Sequence, residues 1–171
     1  MRSSSDVHEF LLREGVRHEI VDLPTLCATA VQAAEALGVP VAEVVKSLVF
    51  LVDGRPVLAL VSGDATVDAD ALARAMGGTG ATLARGRDVR AMTGYRPGAV
   101  PPCGLATPLP VAADPGVFVT ETVYCGGGTA TAMLRIRSLD LEALLRPLRA
   151  SIAVRAADTG RTLARTDGRT R

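Results

Sequence analysis

A single lysine among eighteen arginines is the first candidate for chemistry in this sequence. Lys46 stands at the start of an almost uninterrupted apolar run, residues 46–52, that is typical of a buried strand. Arginine carries a permanently charged planar group, whereas the lysine ammonium is a compact donor whose pKa falls on burial. Such a donor can reach a carbonyl or phosphate oxygen. A strong compositional bias toward arginine could also leave one lysine here by chance.

The second candidate is a loop rich in glycine and proline, residues 94–102, with the sequence GYRPGAVPP. Gly98 would let the backbone approach a ligand closely and direct an N–H group at an oxygen. The flanking prolines would hold that backbone rigid, as preorganised stabilisation of an oxyanion requires. A rigid surface loop has the same composition, so the spacing leaves both interpretations open. Four arginines that precede or enter this loop favour a site facing an anionic group: Arg85, Arg87, Arg90 and Arg96.

Two weaker motifs lie further along the chain. Residues 125–129, CGGGT, could form an anion-binding nest, but they lack the Gly-Lys-Ser/Thr ending of a phosphate loop, so a turn between two strands is favoured. Asp114 could act as a site acid, although Asp-Pro also commonly starts a turn. His8 and His18 belong to no triad pattern. Without a Gly-x-Ser-x-Gly elbow the sequence does not indicate a serine hydrolase.

The three cysteines, Cys27, Cys103 and Cys125, are odd in number and widely spaced, and none belongs to a Cys-x-x-Cys pair. Neither histidine is near them in the sequence. We therefore expect free thiols in a reducing compartment rather than disulfides or a zinc site. The sequence accordingly predicts no metal and no other cofactor.

The net charge of +1 conceals an uneven distribution over the 171 residues. Residues 1–84 carry six basic and eleven acidic side chains, whereas residues 85–171 carry thirteen arginines and seven acidic side chains. Binding responds to the local potential rather than to the total charge, so the second half can present a basic surface to phosphates. Seven of its arginines lie from Arg146 onward, and part of the excess would then belong to a solvated tail.

The overall composition excludes several classes of protein. An apolar content of 48% excludes a wholly disordered chain, and the length fits one domain. No uncharged apolar run approaches the ~20 residues of a membrane span. The chain also turns acidic near its start, where a signal peptide would need an apolar stretch. We therefore expect a cytoplasmic protein without a membrane partner.

The remaining pattern predicts the elements that must position these residues. Helices are predicted after Ser3–Ser5, from Thr29 to Gly38, from Asp68 to Met76, over residues 86–93 and from Ser138 to about Leu148. Strands are predicted over residues 16–23, 46–52, 56–62, 109–113, 117–124 and 131–137. Asp53-Gly54, the favoured two-residue turn, makes the second and third of these a hairpin.

This order of elements indicates the fold class. Helices and strands mix without a regular βαβ alternation, which predicts a single α+β domain with a mixed, largely antiparallel sheet flanked by helices. We place the domain at residues 1–150. Residues 151–171, rich in Arg, Ala and Thr, are predicted to be a flexible tail.

Five of these features, taken in order, resemble a known family. They are VVKSLVF at 44–50 followed by DG, VLALVSGD at 57–64, GYRPGAVPP at 94–102, Asp114, and a late YxGGG. Together they are similar to the YbaK/ProRS-associated editing-domain family over about residues 5–149. These proteins are aminoacyl-tRNA deacylases that stand alone or are inserted in prolyl-tRNA synthetases. The resemblance implies a partly barrel-like sheet.

The resemblance also implies the site residues. In the family a lysine at the matching strand start and a Gly-x-x-x-Pro loop form the substrate pocket, which gives Lys46, Gly98 and Pro102 the catalytic positions. The residues implied for substrate binding are Ala99, Val100, Pro101, Asp114 and Gly127. Residues 102–104 read Pro-Cys-Gly where many members have Pro-Phe-Gly or Pro-Leu-Gly, so the rim of the pocket is expected to differ.

The activity that follows from the resemblance is hydrolysis of the ester joining a small wrong amino acid to the 3′ end of tRNAPro or a related tRNA. The family is thought to use the substrate's own ribose hydroxyl instead of a protein base, which agrees with the missing triad. Lys46 would hold the aminoacyl end or the terminal phosphate, and the arginines from Arg85 to Arg96 would meet acceptor-stem phosphates. The expected partner is the acceptor end of aminoacyl-tRNA, with a synthetase or an elongation factor as a further candidate.

Two alternatives to this free-standing deacylase remain open. One is a non-catalytic module of the same fold that binds tRNA or an aminoacyl group. The other is a hydrolase of small-molecule esters, in which the basic half of the chain is incidental.

Overall fold

A long antiparallel hairpin lies at the centre of the fold. In the computed structural model, which describes residues 1–155, strands β2 (Val44–Val52) and β3 (Arg55–Ser62) pair along their whole length. Both turn residues have positive φ, 47° at Asp53 and 81° at Gly54, as a two-residue hairpin turn requires. The Asp53 carboxylate accepts hydrogen bonds from the N–H groups of Thr79 and Gly80, at 2.9 and 3.0 Å. The predicted hairpin is therefore confirmed.

The other strands extend the sheet on both sides of this hairpin. The remaining strands are β1 (His18–Asp22), β4 (Ala65–Val67), β5 (Ala81–Leu83), β6 (Val111–Ala113), β7 (Thr122–Gly126), β8 (Ala132–Arg137), β9 (Leu148–Arg149) and β10 (Ala153–Arg155). The main sheet has the order β1-β8-β7-β2-β3-β6-β9, with β5 also on β2, and β4 pairs with β10 separately. The pairs β2/β7, β3/β6 and β6/β9 are parallel and the others antiparallel. The predicted mixed sheet is confirmed; it is open, since β1 and β9 end it, and does not close into a barrel.

In the described part of the chain five helices flank the sheet: α1 (Ser4–Arg13), α2 (Ala30–Leu37), α3 (Ala69–Ala75), α4 (Gly86–Thr93) and α5 (Ser138–Leu145). Three begin as their capping residues predict, because Ser3 forms a capping box and Thr29 and Asp68 each accept a hydrogen bond from the first turn. Gly38 ends α2 with a left-handed φ of 68°. Within residues 1–155 no helix has the length and apolarity needed to cross a bilayer.

The core lies on both faces of the sheet, because side chains alternate along β2. Val45 and Val49 face a cluster with α1, α4 and the 94–105 loop, whereas Phe50 and Val52 face a second cluster with α3 and Ile152. Both strands of the hairpin are covered on each side, as their nearly continuous apolar sequence predicts. The hairpin is thus a rigid platform for residues at its open end.

Two predicted elements have different boundaries in the structure. The strand expected over residues 117–124 is a 3-10 helix, Pro115–Phe118, followed by β7. Asp114 causes the difference, because its carboxylate accepts the Gly116 N–H at 2.9 Å and caps the turn. Helix α5 begins after Arg137 and ends at Leu145, earlier than expected, since Arg146 adopts a φ of 45° ahead of Pro147.

The predicted domain boundary at residue 150 is wrong by at least five residues. Ile152 is fully buried, and β10 pairs with β4 over Ala153–Arg155. The Asp114 carboxylate accepts hydrogen bonds from the backbone N–H groups of Ile152 and Ala153, at 3.2 and 3.0 Å. The first five residues of the predicted tail therefore belong to the domain, and residues 156–171 lie outside the described residues.

Replacing Ile152 tests whether this segment belongs to the core. We expect Ile152→Ala to lower the free energy of unfolding by about 2–5 kcal/mol, because it leaves a cavity at a fully buried position. Val154→Ala, two residues further along in β10 and partly exposed, should cost less than about 1 kcal/mol. Urea denaturation of both variants measures the two values. A cost for Ile152→Ala no larger than that for Val154→Ala would contradict the revised boundary.

Candidate functional site

A cavity of about 400 Å³ opens beside the first half of β2. Five consecutive β2 residues line it, 44–48, facing the segment that leads into α2. The other lining residues come from four parts of the chain: 27–31 and Ala33, Gly63, Gly98 and Val100, and Gly126 and Met133. A volume of this size suits a small-molecule group.

An interruption in the sheet explains why the cavity forms here. On the side of β2 that does not contact β3, strand β7 pairs only with Val44 and Val45, and β5 pairs only with residues 50–52. The Ala84 N–H reaches the Val49 carbonyl at 2.9 Å, and among residues 1–155 no strand pairs with residues 46–48 on that side. The gap exposes the middle of a central strand, and the cavity lies against it.

Lys46 lies on the cavity wall and is partly buried. Its ammonium donates a hydrogen bond to the Ala65 carbonyl, just after the turn that follows β3. Burial lowers the pKa of Lys46, and the nearby carboxylate of Asp64 opposes this shift. An ammonium has three N–H donors, so two remain for a ligand once Ala65 is bound.

The loop of residues 94–105 brings Gly98 to the same cavity. Tyr95 anchors this loop, because its ring is fully buried and its hydroxyl donates to the Gly104 carbonyl at 3.0 Å. Burial raises the pKa of Tyr95 to about 12, which keeps the donating proton in place. Gly98 has a φ of 84°, which explains the need for glycine there.

Backbone N–H groups of this loop are available to a ligand. The Ala99 N–H donates to the Arg96 carbonyl at 3.1 Å. By contrast, the N–H groups of Gly98 and Val100 have no acceptor within residues 1–155, and both residues line the cavity. Two donors of this kind, one on each side of Ala99, suit an oxygen that gains negative charge.

Three successive glycines at the end of β7, residues 126–128, hold this loop against the sheet. A Cβ at Gly126 would collide with the carbonyl oxygen of Val100, so only glycine permits the observed approach. The Gly128 N–H donates to the Ala99 carbonyl at 3.0 Å. These glycines form the predicted turn between two strands, β7 and β8, and they fix the position of the loop.

Several of the predicted site residues are close to the cavity without lining it. Ala99, Pro101 and Pro102 are buried inside the loop, and Pro102 lines a separate apolar cavity of about 190 Å³. Gly127 donates its N–H to the Ala132 carbonyl at 3.0 Å, one residue beyond the lining Gly126. Of the predicted catalytic and substrate-binding residues, Lys46, Gly98 and Val100 line the cavity.

Asp114 has a different environment from the one expected of a substrate ligand. It is buried, and its carboxylate binds the backbone N–H groups of Gly116, Ile152 and Ala153. It also lies 3.9 Å from the Arg155 guanidinium, which in turn donates to Ser62 at 3.1 Å. Asp114 thus connects β10 to the end of β3, near the Ala65 carbonyl that accepts the Lys46 hydrogen bond.

The four predicted tRNA-binding arginines are all exposed. Arg85 immediately precedes α4, Arg87 and Arg90 lie on that helix, and Arg96 lies in the loop. The Nε of Arg87 also forms an ion pair with the Oδ1 of its neighbour Asp88, at 3.5 Å. None of the four lines the cavity, but Gly86 at the start of α4 approaches Pro97, next to Gly98. The arginines therefore lie beside the loop that contributes Gly98.

Some lining residues had no functional signal in the sequence. Residues 27–33 showed only a helix cap, and Met133 looked like an ordinary strand residue. Ser47 and Gly126 are each next to a predicted site residue, Lys46 and Gly127 respectively. Two features of the sequence could have indicated these two residues: Ser47 is adjacent to Lys46, and Gly126 begins a run of three glycines.

The cysteines and histidines show no metal-binding arrangement in the part of the chain that the structure describes. Cys103 and Cys125 are buried free thiols, and burial raises the pKa of both. Cys27 lines the cavity and is partly buried. His8 on α1 and His18 on β1 contact each other, with 2.8 Å between His8 Nδ1 and His18 Nε2, and neither lines the cavity.

Comparisons with known protein families and with curated proteins point to one kind of domain. The model of a family described as the aminoacyl-tRNA editing domain matches residues 25–144. A proline–tRNA ligase of Nitratidesulfovibrio vulgaris is 34% identical over 127 residues, which are 74% of this chain and 22% of the ligase. The uncharacterized protein YwhH of Bacillus subtilis is 30% identical over 72% of this chain and 79% of its own length. The chain thus spans about a fifth of the length of that ligase.

Solved structures agree with the sequence relatives. The crystal structure of a proposed trans-editing enzyme for prolyl-tRNA synthetase superposes with a TM-score of 0.83 at 35% identity. The match covers 88% of this chain and 96% of that one. Sequence and fold therefore identify the same kind of domain.

Gly126 offers a test of how the loop is held. We expect Gly126→Ala to lower the free energy of unfolding by about 1–3 kcal/mol, because the added Cβ would meet the Val100 carbonyl. The Gly128 N–H, which donates to Ala99, should exchange with solvent faster as the loop shifts.

A matched control is Gly80→Ala, since a Cβ there meets no other atom within 4 Å. It should change stability by less than about 0.5 kcal/mol. Chemical denaturation and hydrogen exchange measure both variants. Equal free energies of unfolding and equal exchange rates in the two variants would show that Gly126 is not needed for the position of the loop.

Proposed function

The chain belongs to the aminoacyl-tRNA editing domain family, and from this membership we propose that it acts in trans as a deacylase of mischarged tRNA. The observation that supports the proposal most is that one cavity is lined by a residue with a partly buried ammonium and by two residues whose backbone N–H groups have no acceptor within residues 1–155. The likeness to a proposed trans-editing enzyme for prolyl-tRNA synthetase suggests tRNAPro, or a related tRNA, as the substrate.

The proposed reaction is hydrolysis of the ester at the 3′-terminal ribose. Water adds to the carbonyl carbon of the aminoacyl group, and the bond from that carbon to the ribose oxygen breaks. The products are a free amino acid and a tRNA with a free hydroxyl. The neighbouring ribose hydroxyl of the substrate would assist the attack of water, because the lining residues among positions 1–155 include no histidine, aspartate or glutamate.

The N–H groups of Gly98 and Val100 would stabilise the oxyanion that forms on the ester carbonyl. Donors already held in place are worth more than mobile ones, since no reorganisation is needed as charge develops. Ala99, Pro101 and Pro102 would support this role by keeping the loop rigid, and Gly127 by fixing the turn beneath it. The loop would thus act through its backbone.

Lys46 would position the aminoacyl-adenosine end. Its bond to the Ala65 carbonyl fixes the ammonium and leaves two N–H donors for an oxygen of the substrate. Asp114 would act indirectly, by holding the β10 segment that pairs with the Ala65 strand. Lys46 would contribute position and charge rather than proton transfer.

The exposed arginines beside the loop would bind the phosphates of the acceptor stem. Arg85, Arg87, Arg90 and Arg96 extend from the start of α4 to the residue before Pro97. Contacts of this kind are independent of base sequence and sensitive to salt. They would bring the 3′ end of the tRNA to the cavity.

A panel of tRNAs mischarged with different small amino acids tests the proposed function. We expect the protein to release the amino acid from at least one member. Bound tRNA without hydrolysis of any member would favour a non-catalytic module. Hydrolysis of small esters without tRNA binding would favour a small-molecule hydrolase.

Lys46→Ala should lower kcat/KM for the mischarged tRNA by about 100-fold, the scale of losing one preorganised donor. Lys46→Arg should not restore activity, because a planar guanidinium does not replace a compact ammonium bound to Ala65. Arg55→Ala removes one positive charge at the other end of the hairpin and serves as the control. Activity of Lys46→Ala within twofold of the parent would contradict the role of Lys46.

Neutralising Arg85, Arg87 and Arg90 to glutamine should weaken tRNA binding and reduce its salt dependence. The slope of log K against log salt concentration should fall by about one for each phosphate that the protein no longer neutralises. The control variant neutralises three exposed arginines of the acidic half, Arg13, Arg55 and Arg74. An equal slope in both triple variants would place the phosphate-binding surface elsewhere.

A further inference from the structure

The side chain of Arg155, the last residue of β10, lies among groups from two other parts of the chain. Its Nε is 3.7 Å from Oδ2 of Asp64, and its Nη2 is 3.9 Å from Oδ1 of Asp114. The same Nη2 donates a hydrogen bond to the Ser62 hydroxyl at 3.1 Å. A Cβ at Gly116 would collide with the guanidinium, so glycine at that position leaves the space that the guanidinium occupies. These neighbours fix the position of the charge.

The contacts of Arg155 surround the turn that holds the Lys46 ammonium. Asp64 directly precedes Ala65, whose carbonyl accepts the hydrogen bond from Lys46. Arg155 is the residue that pairs with Ala65 between β10 and β4. Its guanidinium also contacts Ser62, the last residue of β3, so it touches the turn from both sides. Arg155 itself does not line the cavity, and it can affect a ligand there only through these residues.

Asp64 carries the negative charge that could compete with a ligand for Lys46. Its carboxylate is near enough to oppose the lowering of the Lys46 pKa by burial. Within residues 1–155, however, it forms its ion pair with Arg155 and not with Lys46. An ammonium that binds a carboxylate has fewer N–H donors left for another oxygen, and its charge is partly neutralised. The choice of Asp64 between these two cations therefore determines how much of the ammonium is available in the cavity.

The ion pair between Arg155 and Asp64 adds little to the stability of the fold. Both side chains are more than a third exposed, and solvent screens an ion pair at that level of exposure. Strand β10 is held by other contacts, because Ile152 is fully buried and the Asp114 carboxylate binds the N–H groups of Ile152 and Ala153. Loss of the Arg155 charge should therefore leave β10 in place and change mainly the charges around Lys46.

We propose that Arg155 is a positioning residue for Lys46, because it holds the Asp64 carboxylate and so leaves two ammonium N–H donors for the aminoacyl-adenosine end. This inference rests on the proposed deacylase function and adds a residue to it. Arg155 lies outside residues 25–144, which match the family model. Without its guanidinium the Asp64 carboxylate would pair with Lys46, and the substrate oxygen would lose its donor.

Nuclear magnetic resonance can test this effect without a substrate, because Lys46 is the only lysine of the chain. Protein made with isotope-labelled lysine gives one side-chain spin system, and its change with pH reports the pKa of Lys46. Arg155→Gln keeps a side chain that can donate to Ser62 but removes the charge, so it should raise this pKa. The matched control is Arg149→Gln, which removes an arginine paired with Glu142 and should leave the pKa of Lys46 unchanged.

A double-mutant cycle with Asp64 tests the mechanism on a mischarged tRNA that the parent hydrolyses. Arg155→Gln should lower kcat/KM by about tenfold, mainly through a higher KM, because the ammonium is no longer directed at the substrate. In protein that already carries Asp64→Asn, the same substitution should change kcat/KM by less than about twofold, since no carboxylate remains to compete. Arg149→Gln should change kcat/KM by less than about twofold in either background, because it has no shared partner with Asp64.

Thermal unfolding separates this role from a structural one. Arg155→Gln should melt at nearly the same temperature as the parent, because the lost ion pair is exposed. An equal loss of activity with and without Asp64→Asn, or an unchanged Lys46 pKa in Arg155→Gln, overturns the role of Arg155 and leaves the deacylase function standing. A large fall in melting temperature together with the loss of activity would assign Arg155 to the fold instead. Failure of the parent to hydrolyse any aminoacyl-tRNA in the panel overturns both proposals.

Discussion

The interrupted pairing of β2 is the constraint on which the rest of the site depends. A central strand normally has a partner on each side, but β2 has β3 along one edge and only short contacts with β7 and β5 along the other. The unpaired stretch cannot be closed by another strand without filling the cavity. The protein instead surrounds it with a glycine-rich loop and the segment before α2, which leave room for a ligand.

The loop can take this position because two sets of residues hold it from opposite sides. Tyr95 anchors it in the core through its hydroxyl bond to Gly104, while the glycines at the end of β7 allow its backbone to lie directly on the sheet. Neither set touches the cavity with a reactive side chain. The chemistry available there comes mainly from backbone groups and one ammonium, which suits the proposed reaction, whose substrate supplies its own assisting hydroxyl.

The hairpin, three helix caps and the turn at the three glycines could be predicted because each has a local cause in neighbouring residues. Strands β4, β5, β9 and β10 have two or three residues each, too few for a periodic pattern, and they exist only because a distant partner is present. Residues 27–33 likewise become part of the cavity wall only because distant parts of the chain pack beside them. Lys46 and the loop could be predicted as site residues from their unusual composition. Ser47 looks like an ordinary strand residue in the sequence, and only the structure shows that its buried hydroxyl has no partner within residues 1–155.

The pairing of β4 with β10 has a consequence for the order in which the site is assembled. Ala65, which accepts the Lys46 hydrogen bond, pairs with Arg155, ninety positions later in the chain. Contacts between such distant residues form late, since a long loop must close before they can be made. During synthesis on a ribosome the ammonium would therefore reach its final position only after β10 has emerged. The hairpin can fold early, because its two strands are adjacent in the sequence, but the acceptor of its lysine is held by a segment ninety positions away.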